Sequence, residues 1–198
     1  MDKSTIIKEN LKASIEVKQA LLTDKDIINR IEDLAERIIK VYQDDGKVLF
    51  CGNGGSAADA QHLAAELSGR YYYDRPPLFA EALHVNTSYL TAVANDYSYD
   101  VIYERLIKGM GRKGDVLIGL STSGNSKNVV NALIEAKKIG MLTVGFTGKN
   151  GGVMKEYCDI LIEIPSENTP RIQECHMLIG HSICEIVEQG MFPQQKKG

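Results

Sequence analysis

The sequence lacks the features of membrane-spanning and nucleic-acid-binding proteins. Its longest apolar runs, such as Val116 to Leu120, are far too short for a helix that crosses a membrane. Neither sign of charge dominates, because 23 Lys and Arg residues stand against 26 Asp and Glu residues, for a formal net charge of -3. Such a balance produces no overall field that would attract nucleic acid. We therefore expect neither a membrane nor a nucleic acid as a partner.

Cysteine is scarce, and its spacing follows no disulfide or zinc-finger pattern. The four cysteines each lie within or beside an apolar stretch: Cys51, Cys158, Cys175 and Cys184. We expect them to be reduced thiols of the core. The chain also starts with Asp2, Lys3 and Ser4 after the initial Met, which is unlike a secretory signal. Both observations predict a cytoplasmic protein.

No internal repeat, low-complexity tract or Gly/Ser-rich linker divides the chain, so residues 1–198 are predicted to form one domain. Residues 1–45 are expected to be a helical extension of that domain, because apolar residues recur there at helical spacing. They form two stripes, the first of Ile7, Leu11, Ile15 and Leu22, and the second of Ile27, Ile31, Leu34, Ile38 and Tyr42. A two-helix hairpin cannot bury both stripes, so part of this surface is predicted to contact another subunit.

After residue 46, short apolar runs alternate with polar loops and helix-forming stretches. Two units of strand, loop and helix are clear: residues 47–51, 52–56 and 57–68, and residues 115–120, 121–126 and 127–139, with Gly140 at the end. Because the strands are apolar on both faces, the pattern predicts an α/β fold, a three-layer α/β/α sandwich with a central parallel sheet. In such sheets, ligands bind beyond the carboxyl ends of the strands.

The rest of the chain continues this alternation. The predicted elements are strands at 82–85, 141–146 and 160–164, helices at 87–94, 101–107 and 153–157, and a last helix with Thr169 as its N-cap, Pro170 in its first turn and Gly190 at its end.

The loop at residues 121–126, here called the serine loop, carries four hydroxyl groups and a glycine between a buried strand and a helix. Backbone amides and the dipole of a helix N-terminus bind anions, and hydroxyl groups add further hydrogen-bond donors. An ordinary N-cap by Ser123 or Ser126 is the alternative interpretation. The number of donors and the strand before them favour a phosphate site.

The loop at residues 52–56 is here called the glycine loop. Together with Ala57, it matches the dinucleotide-binding pattern G-x-G-x-x-A. That pattern requires an acidic residue at the end of the next strand to hold the ribose. The next predicted strand instead ends in Val85 and Asn86. The glycines are therefore better explained by close approach of the backbone to a small ligand.

His62 and Glu66 lie four residues apart on the helix after the glycine loop, so they share one face, and Arg70 lies one further turn along. This spacing suits a proton-transfer or metal-binding pair, although a surface polar pair is the alternative. In the last helix, Gln173 and His181 stand beside the apolar stripe. Both residues could belong to the same site, but helix capping or a position at the edge of the core would also explain why they are polar.

Taken together, these residues resemble a known family. The serine loop is similar to the phosphosugar-binding loop of sugar isomerase (SIS) domains. A wider set resembles the phosphoheptose isomerases within that family: the glycine loop, His62, Glu66, Asn95, Asp96, Gln173 and His181. The resemblance covers essentially the whole chain, including the N-terminal helical pair.

The resemblance implies an aldose–ketose isomerase that converts D-sedoheptulose 7-phosphate into D-glycero-D-manno-heptose 7-phosphate, the first step of heptose supply for bacterial surface polysaccharide. It implies no nucleotide or redox cofactor. Such a reaction moves a proton between neighbouring carbons through an enediol, so it needs a base and an acid. Glu66 is the expected base and His181 the expected acid or relay. The expected substrate-binding residues are Asn53, Gly54, Gly55, Ser56, Arg70, Asn95, Asp96, Ser121, Thr122, Ser123, Ser126 and Gln173.

The resemblance also implies a Zn²⁺ site formed by His62, Glu66, Gln173 and His181. A cation on Glu66 would weaken it as a base, so the two roles compete. In a regular helix, Gln173 and His181 are about 12 Å apart along the axis, so one ion does not easily reach both. We therefore expect a site built between subunits, in agreement with the homotetramer that the resemblance implies.

Two other hypotheses stay open. The chain could be a non-catalytic SIS module, similar to the bacterial replication-initiator-associating protein, or an SIS enzyme acting on an aminosugar or ketosamine phosphate. His62, Glu66 and His181 together favour an enzyme, because a binding module does not need acid/base residues. The identity of the substrate rests on the resemblance alone.

Overall fold

The computed structural model describes residues 2–194, in which five parallel strands form one sheet with the order β2-β1-β3-β4-β5. The strands are β1 (Val48–Gly52), β2 (Ala80–Ala82), β3 (Val116–Ser121), β4 (Leu142–Thr147) and β5 (Ile160–Glu163). The helices are α1 (Lys3–Thr23), α2 (Lys25–Gln43), α3 (Gly55–Ser68), α4 (Thr87–Asp96), α5 (Ile102–Met110), α6 (Lys127–Ile139) and α7 (Thr169–Met191). Short 3-10 turns span Tyr99–Val101 and Val153–Tyr157. Within residues 2–194, none of the helices combines the length and the apolar character needed to cross a bilayer.

The sheet separates two hydrophobic cores, because successive residues of a strand point to opposite faces. Val48 and Phe50 of β1 face the core formed with α2, α3 and α7. Leu49 and Cys51 face the core formed with α5 and α6. Every residue of β1 and β3 is buried. This arrangement confirms the predicted three-layer α/β/α sandwich with a parallel sheet.

The two N-terminal helices differ in how far this chain buries them. In α2, Leu34 and Ile38 of the predicted stripe are fully buried against α7 and the sheet. In α1, only Leu21 is buried. The predicted stripe of α1 is exposed, with Ile7 60%, Leu11 60%, Ile15 65% and Leu22 70% accessible. The first helix therefore presents an apolar surface that its own chain does not cover.

Strand β2 lies two residues earlier than predicted, at Ala80–Ala82 rather than 82–85. Ala80 pairs with Val48, and the amide of Val85 donates to the carbonyl of Ala82 in a turn that ends the strand. Helix α4 also continues further than predicted, to Asp96. Asn95 and Asp96 consequently lie in the last turn of a helix and not in a loop after it.

The ends of α7 differ from the sequence-based prediction. Asn168, not Thr169, occupies the N-cap position, and its side chain makes no capping hydrogen bond. The helix continues through Gly190 to Met191. A Cβ on Gly190 would overlap the side chain of Ile39, so this glycine permits close packing of α7 on α2 and does not end the helix.

All four cysteines are free thiols. Three are buried, and Cys158 is half-buried. Burial raises the pKa of Cys158 and of Cys184 to about 12, so both are protonated and unreactive at neutral pH.

Candidate active site

The glycine loop and the serine loop meet at one edge of the sheet. β1 and β3 are neighbours, with β2 on one side of them and β4 and β5 on the other. The chain therefore reverses its direction of travel across the sheet between β1 and β3. In open α/β sheets, this switch point forms a crevice at the carboxyl ends of the strands, where ligands bind. The glycine loop follows β1 and the serine loop follows β3, as expected from the sequence.

Internal hydrogen bonds hold the serine loop in shape. The hydroxyl groups of Ser121 and Ser126 lie 2.9 Å apart. The Asn125 side chain donates to the Ser123 carbonyl at 3.0 Å and accepts from the Val153 amide at 2.9 Å. Ser126 occupies the N-cap position of α6, but its side chain makes no capping hydrogen bond. The first turn of α6 therefore offers backbone amides to an anion. The hydroxyl of Thr122, in the serine loop before this helix, is a further hydrogen-bond donor.

A pair of asparagine side chains joins the glycine loop to the first turn of α6. The Asn53 amide donates to Asn128 Oδ1 at 2.8 Å, and the Asn128 amide donates back to Asn53 Oδ1 at 2.8 Å. The Tyr99 hydroxyl also donates to Asn53 Oδ1, at 3.0 Å. The following residue of the glycine loop, Gly54, has a φ of 55° and is the N-cap of α3, so this helix too begins without a side-chain cap. Ser56 is buried in its first turn.

His62, Glu66 and His181 come together in one cluster, here called the His–Glu cluster. His62 Nε2 lies 2.9 Å from Glu66 Oε1 and 3.3 Å from His181 Nε2. One ligand atom from each residue lies within 4.8 Å of the other two, which is close enough for all three to hold one metal ion. The His62 side chain is 49% exposed and that of Glu66 24% exposed. The cluster is therefore open to solvent in the single chain.

Gln173 does not join this cluster within the chain. Its side-chain amide lies against Gly55, where a Cβ would come within 2.5 Å of the Gln173 nitrogen. Gly55 is about 10 Å from His62 along α3, given a rise of 1.5 Å per residue. α3 and α7 run side by side in the same direction, since Gln173 meets the first turn of α3 and His181 meets His62 two turns later. Gln173 and His181 thus lie at two separate levels along α3.

The remaining predicted site residues are exposed. Arg70 follows α3, and among residues 2–194 no hydrogen bond or ion pair to its side chain is present. The Asn95 side chain donates to Asp96 Oδ1 at 3.0 Å at the end of α4. Contacts of these three residues with a substrate stay a prediction.

The sequence reasoning missed several residues that shape the site. Tyr71 stacks on His181, with ring centroids 5.8 Å apart and an interplanar angle of 28°. Asp59, one turn before His62 on α3, has a buried carboxylate oxygen without a hydrogen bond, and burial raises its pKa to about 6 although the charge of His62 lowers it. Asn128 and Tyr99 hold Asn53. Asp59 shares the helical spacing of His62 and Glu66, so its spacing was a usable signal, whereas nothing in the sequence connects Tyr71 to His181.

Comparison with known proteins agrees with this fold. The sequence model described as "SIS domain" matches residues 14–148. The phosphoheptose isomerase of Sulfurimonas denitrificans is 52% identical over 186 residues, which cover 94% of this chain and 95% of that protein. The phosphoheptose isomerase of Clostridium acetobutylicum is 51% identical over 189 residues, 96% of each chain. The structure of the phosphoheptose isomerase from Neisseria gonorrhoeae superimposes with a TM-score of 0.89 at 39% identity, over 95% of this chain and 100% of that one.

The parallel sheet, the switch-point crevice and the two loops around it define an α/β domain of the SIS domain family, and the chain belongs to that family. Within it, the near-complete matches at about half identity place the chain among the phosphoheptose isomerases. The family predicted from the residues of the two loops and the His–Glu cluster is confirmed.

Proposed function

We propose that this protein is an aldose–ketose isomerase that converts D-sedoheptulose 7-phosphate into D-glycero-D-manno-heptose 7-phosphate and supplies heptose for bacterial surface polysaccharide. The observation that carries the proposal is the His–Glu cluster of His62, Glu66 and His181, which stands on α3 and α7. The relatives at 52% and 51% identity carry the name of this activity. A binding module would need the crevice but not the cluster.

The serine loop and the N-terminus of α6 hold the phosphate ester. The backbone amides there and the hydroxyl groups of Ser121, Thr122, Ser123 and Ser126 supply donors without requiring a Lys or Arg. The Asn53 side chain and the amides of Gly54 and Gly55 contact the sugar, and Gln173 orients a hydroxyl group from the same level. A fixed phosphate places the other end of the sugar at the His–Glu cluster, which supplies much of the entropic part of catalysis.

Glu66 removes the proton from the carbon next to the carbonyl and returns it to the neighbouring carbon, while His181 transfers protons between the two oxygens. Glu66 Oε1 faces His62 Nε2 at 2.9 Å. Within residues 2–194, no hydrogen bond to Glu66 Oε2 is present, so this oxygen is available to the sugar. One carboxylate oxygen of Glu66 thus contacts His62, and the other is the one that acts as base. Asp96 orients a substrate hydroxyl group.

The cluster fits a Zn²⁺ ion. Two nitrogen ligands of a tetrahedral zinc are roughly 3.3 Å apart, because each lies ~2.0–2.1 Å from the metal. His62 Nε2 and His181 Nε2 are 3.3 Å apart, and Glu66 adds a carboxylate oxygen. When bound, the ion would polarise the carbonyl and stabilise the enediolate. Gln173, the fourth ligand that the resemblance implies, lies at Gly55 within one chain, so it would reach a zinc only in another arrangement or from another subunit.

We further propose that the active form is a homotetramer with its sites at subunit interfaces, in which residues 1–45 serve assembly. The uncovered apolar face of α1 supports a contact with another copy. A proton-transfer site also has to exclude water, and the His62 side chain is 49% exposed in the single chain.

Four free cysteines support a reducing compartment, in keeping with the cytoplasm.

The decisive experiment is an NMR assay of isomerisation of sedoheptulose 7-phosphate by wild type, Glu66→Gln and His181→Ala. We expect both variants to fold and to bind the phosphosugar, but to lose turnover by roughly 100-fold or more, since each lacks a proton-transfer group. Glu36→Gln, on an exposed position of α2, is the matched control for loss of a carboxylate. Full activity of Glu66→Gln would remove it as the base. If the protein instead converts a ketosamine phosphate faster than sedoheptulose 7-phosphate, it is an SIS isomerase with a different substrate.

A further inference from the structure

A buried ion pair links the C-terminal end of α3 to α7, the two helices that carry the His–Glu cluster. Arg75 Nε donates to Glu188 Oε1 at 2.9 Å, and both side chains are only 1% exposed. Arg75 belongs to the segment that follows α3, and Glu188 lies on α7 seven residues after His181, on the same face of that helix. The pair therefore joins the two helices that carry the cluster.

Arg75 donates hydrogen bonds to backbone carbonyls at the C-terminal end of α3. Its Nη2 donates to the carbonyl of Glu66 at 2.8 Å, and its Nη1 donates to the carbonyls of Leu67 at 2.7 Å and Gly69 at 3.1 Å. These carbonyls belong to the last turn of a helix and the residue after it, which lack partners within the helix. A guanidinium group supplies five donors in a fixed plane, so it sets the position of this turn and with it the backbone of Glu66.

Glu188 accepts hydrogen bonds from backbone amides of the segment after α3. Its Oε1 accepts from the Tyr71 amide at 2.9 Å, and its Oε2 accepts from the Tyr72 amide at 2.7 Å. The ring of the same residue, Tyr71, stacks on the imidazole of His181 at 5.8 Å between centroids. Arg75 thus binds the backbone of Glu66, and Glu188 binds the backbone of Tyr71, whose ring contacts His181.

We propose that Arg75 and Glu188 are positioning residues that set the distance and orientation of Glu66 relative to His181, with Tyr71 transmitting the position of Glu188 to the imidazole. The inference rests on the proposed function, in which these two residues transfer protons. Burial alone would raise the pKa of Glu188, but the two amides and Arg75 more than offset it and lower that pKa. The carboxylate therefore stays charged and accepts all three bonds.

A second ion pair of the same construction provides a matched control. Asp115, before β3, accepts from the amides of Lys47 at 3.1 Å and Arg112 at 2.8 Å and from Lys47 Nζ at 2.6 Å. Its side chain is 4% exposed. Like Glu188, it is a buried carboxylate bound by two backbone amides and one cation, but it lies at the opposite end of the strands from the crevice. Loss of either carboxylate leaves a cation without its partner, with Arg75 1% exposed and Lys47 14% exposed, so both losses lower stability.

The test compares Glu188→Gln, Arg75→Lys, Tyr71→Ala and Tyr71→Phe with Asp115→Asn, using kcat and KM for sedoheptulose 7-phosphate and thermal unfolding. We expect Glu188→Gln, Arg75→Lys and Tyr71→Ala to lower kcat by roughly 10–100-fold, the range for residues that orient a reacting group. KM should change by less than about threefold, because the serine loop and the glycine loop are untouched. Tyr71→Phe keeps the ring and should keep kcat. Asp115→Asn should unfold at a lower temperature, with kcat within about twofold of wild type.

Crystal structures of wild type and the same variants decide the inference independently of turnover. We expect the ring of Tyr71 to leave His181 in Glu188→Gln, and the distance between Glu66 and His181 to change, whereas Asp115→Asn leaves both unchanged. Lack of wild-type turnover would overturn the proposed function only, and the structures would still judge the positioning role. Unchanged cluster geometry in Glu188→Gln, or an equal loss of kcat in Asp115→Asn, would overturn the inference.

Discussion

Gly180 of α7 faces the side chain of Leu63 of α3 so closely that a Cβ on Gly180 would lie 2.5 Å from Leu63 Cδ2 and 2.6 Å from Cδ1. Gly180 directly precedes His181, and Leu63 directly follows His62. The missing side chain therefore permits the helix approach at which the two imidazoles meet. The spacing of the His–Glu cluster depends on this glycine.

Replacement of Gly180 by alanine should separate α3 from α7. We expect Gly180→Ala to lower stability by about 1–3 kcal/mol, the usual cost of an overpacked core, and to lower kcat as the two imidazoles separate. The matched control is Gly109→Ala in α5, where no atom lies within 4 Å of an added Cβ. Alanine there should stabilise by up to about 1 kcal/mol through helix propensity, with activity unchanged. Chemical unfolding and steady-state kinetics measure both effects, and a stable, fully active Gly180→Ala would contradict the argument.

His176 should make the protein sensitive to mild acid. It is fully buried, and desolvation lowers its pKa to about 4, although its bond with the Thr147 carbonyl, at 3.2 Å, acts in the opposite direction. Below an unfolded-state pKa of about 6.5, the unfolded chain binds a proton that the folded chain does not, so stability falls as pH falls from about 6.5 to 4. The loss is on the order of 3 kcal/mol.

The replacement His176→Gln removes the titrating group while keeping a donor for Thr147. We expect it to be less stable than wild type at pH 8 but to lose less stability between pH 6.5 and 4. Melting temperatures at several pH values, at one protein concentration, give the comparison. Parallel curves for the two proteins would show that His176 is not responsible.

Metal removal should abolish most of the activity if zinc occupies the His–Glu cluster. Elemental analysis of purified protein should find about one zinc per chain, and dialysis against a chelator should lower turnover by more than about tenfold, with recovery on adding Zn²⁺. His62→Ala should lose the zinc, whereas His84→Ala, away from the cluster, should keep it. Zinc-free wild type with full activity would eliminate the metal from the reaction.

The exposed stripe of α1 should hold the oligomer together. The double variant Leu11→Lys and Ile15→Lys places two charges on side chains that are 60% and 65% exposed in the single chain, so the fold of each subunit should survive. We expect light scattering to show a smaller assembly, together with lower activity. Lys12→Glu with Glu16→Lys, a charge swap on the same helix, should leave the assembly intact. An unchanged molecular mass in the first variant would assign another role to this face.

Much of the site was predictable because it is encoded locally. The glycine and serine loops each follow a buried strand and precede a helix, so their place at the carboxyl edge follows from the chain order. His62 and Glu66 share a face because they are four residues apart. Asn128 and Glu188 were not recognised, although each interrupts an apolar pattern on a buried helix face, which is a usable signal for a buried polar contact.

The sequence by itself determined the alternation of strands and helices, the positions of the glycine loop and the serine loop after their strands, and the family, because these depend on residue spacing along a few turns of chain. Only the tertiary structure decided which distant side chains meet. His62 contacts His181 across 119 residues of chain, and Arg75 meets Glu188 across 113. Those contacts follow from the parallel packing of α3 and α7, whose relative position is set by the shape and volume of buried side chains rather than by any local pattern.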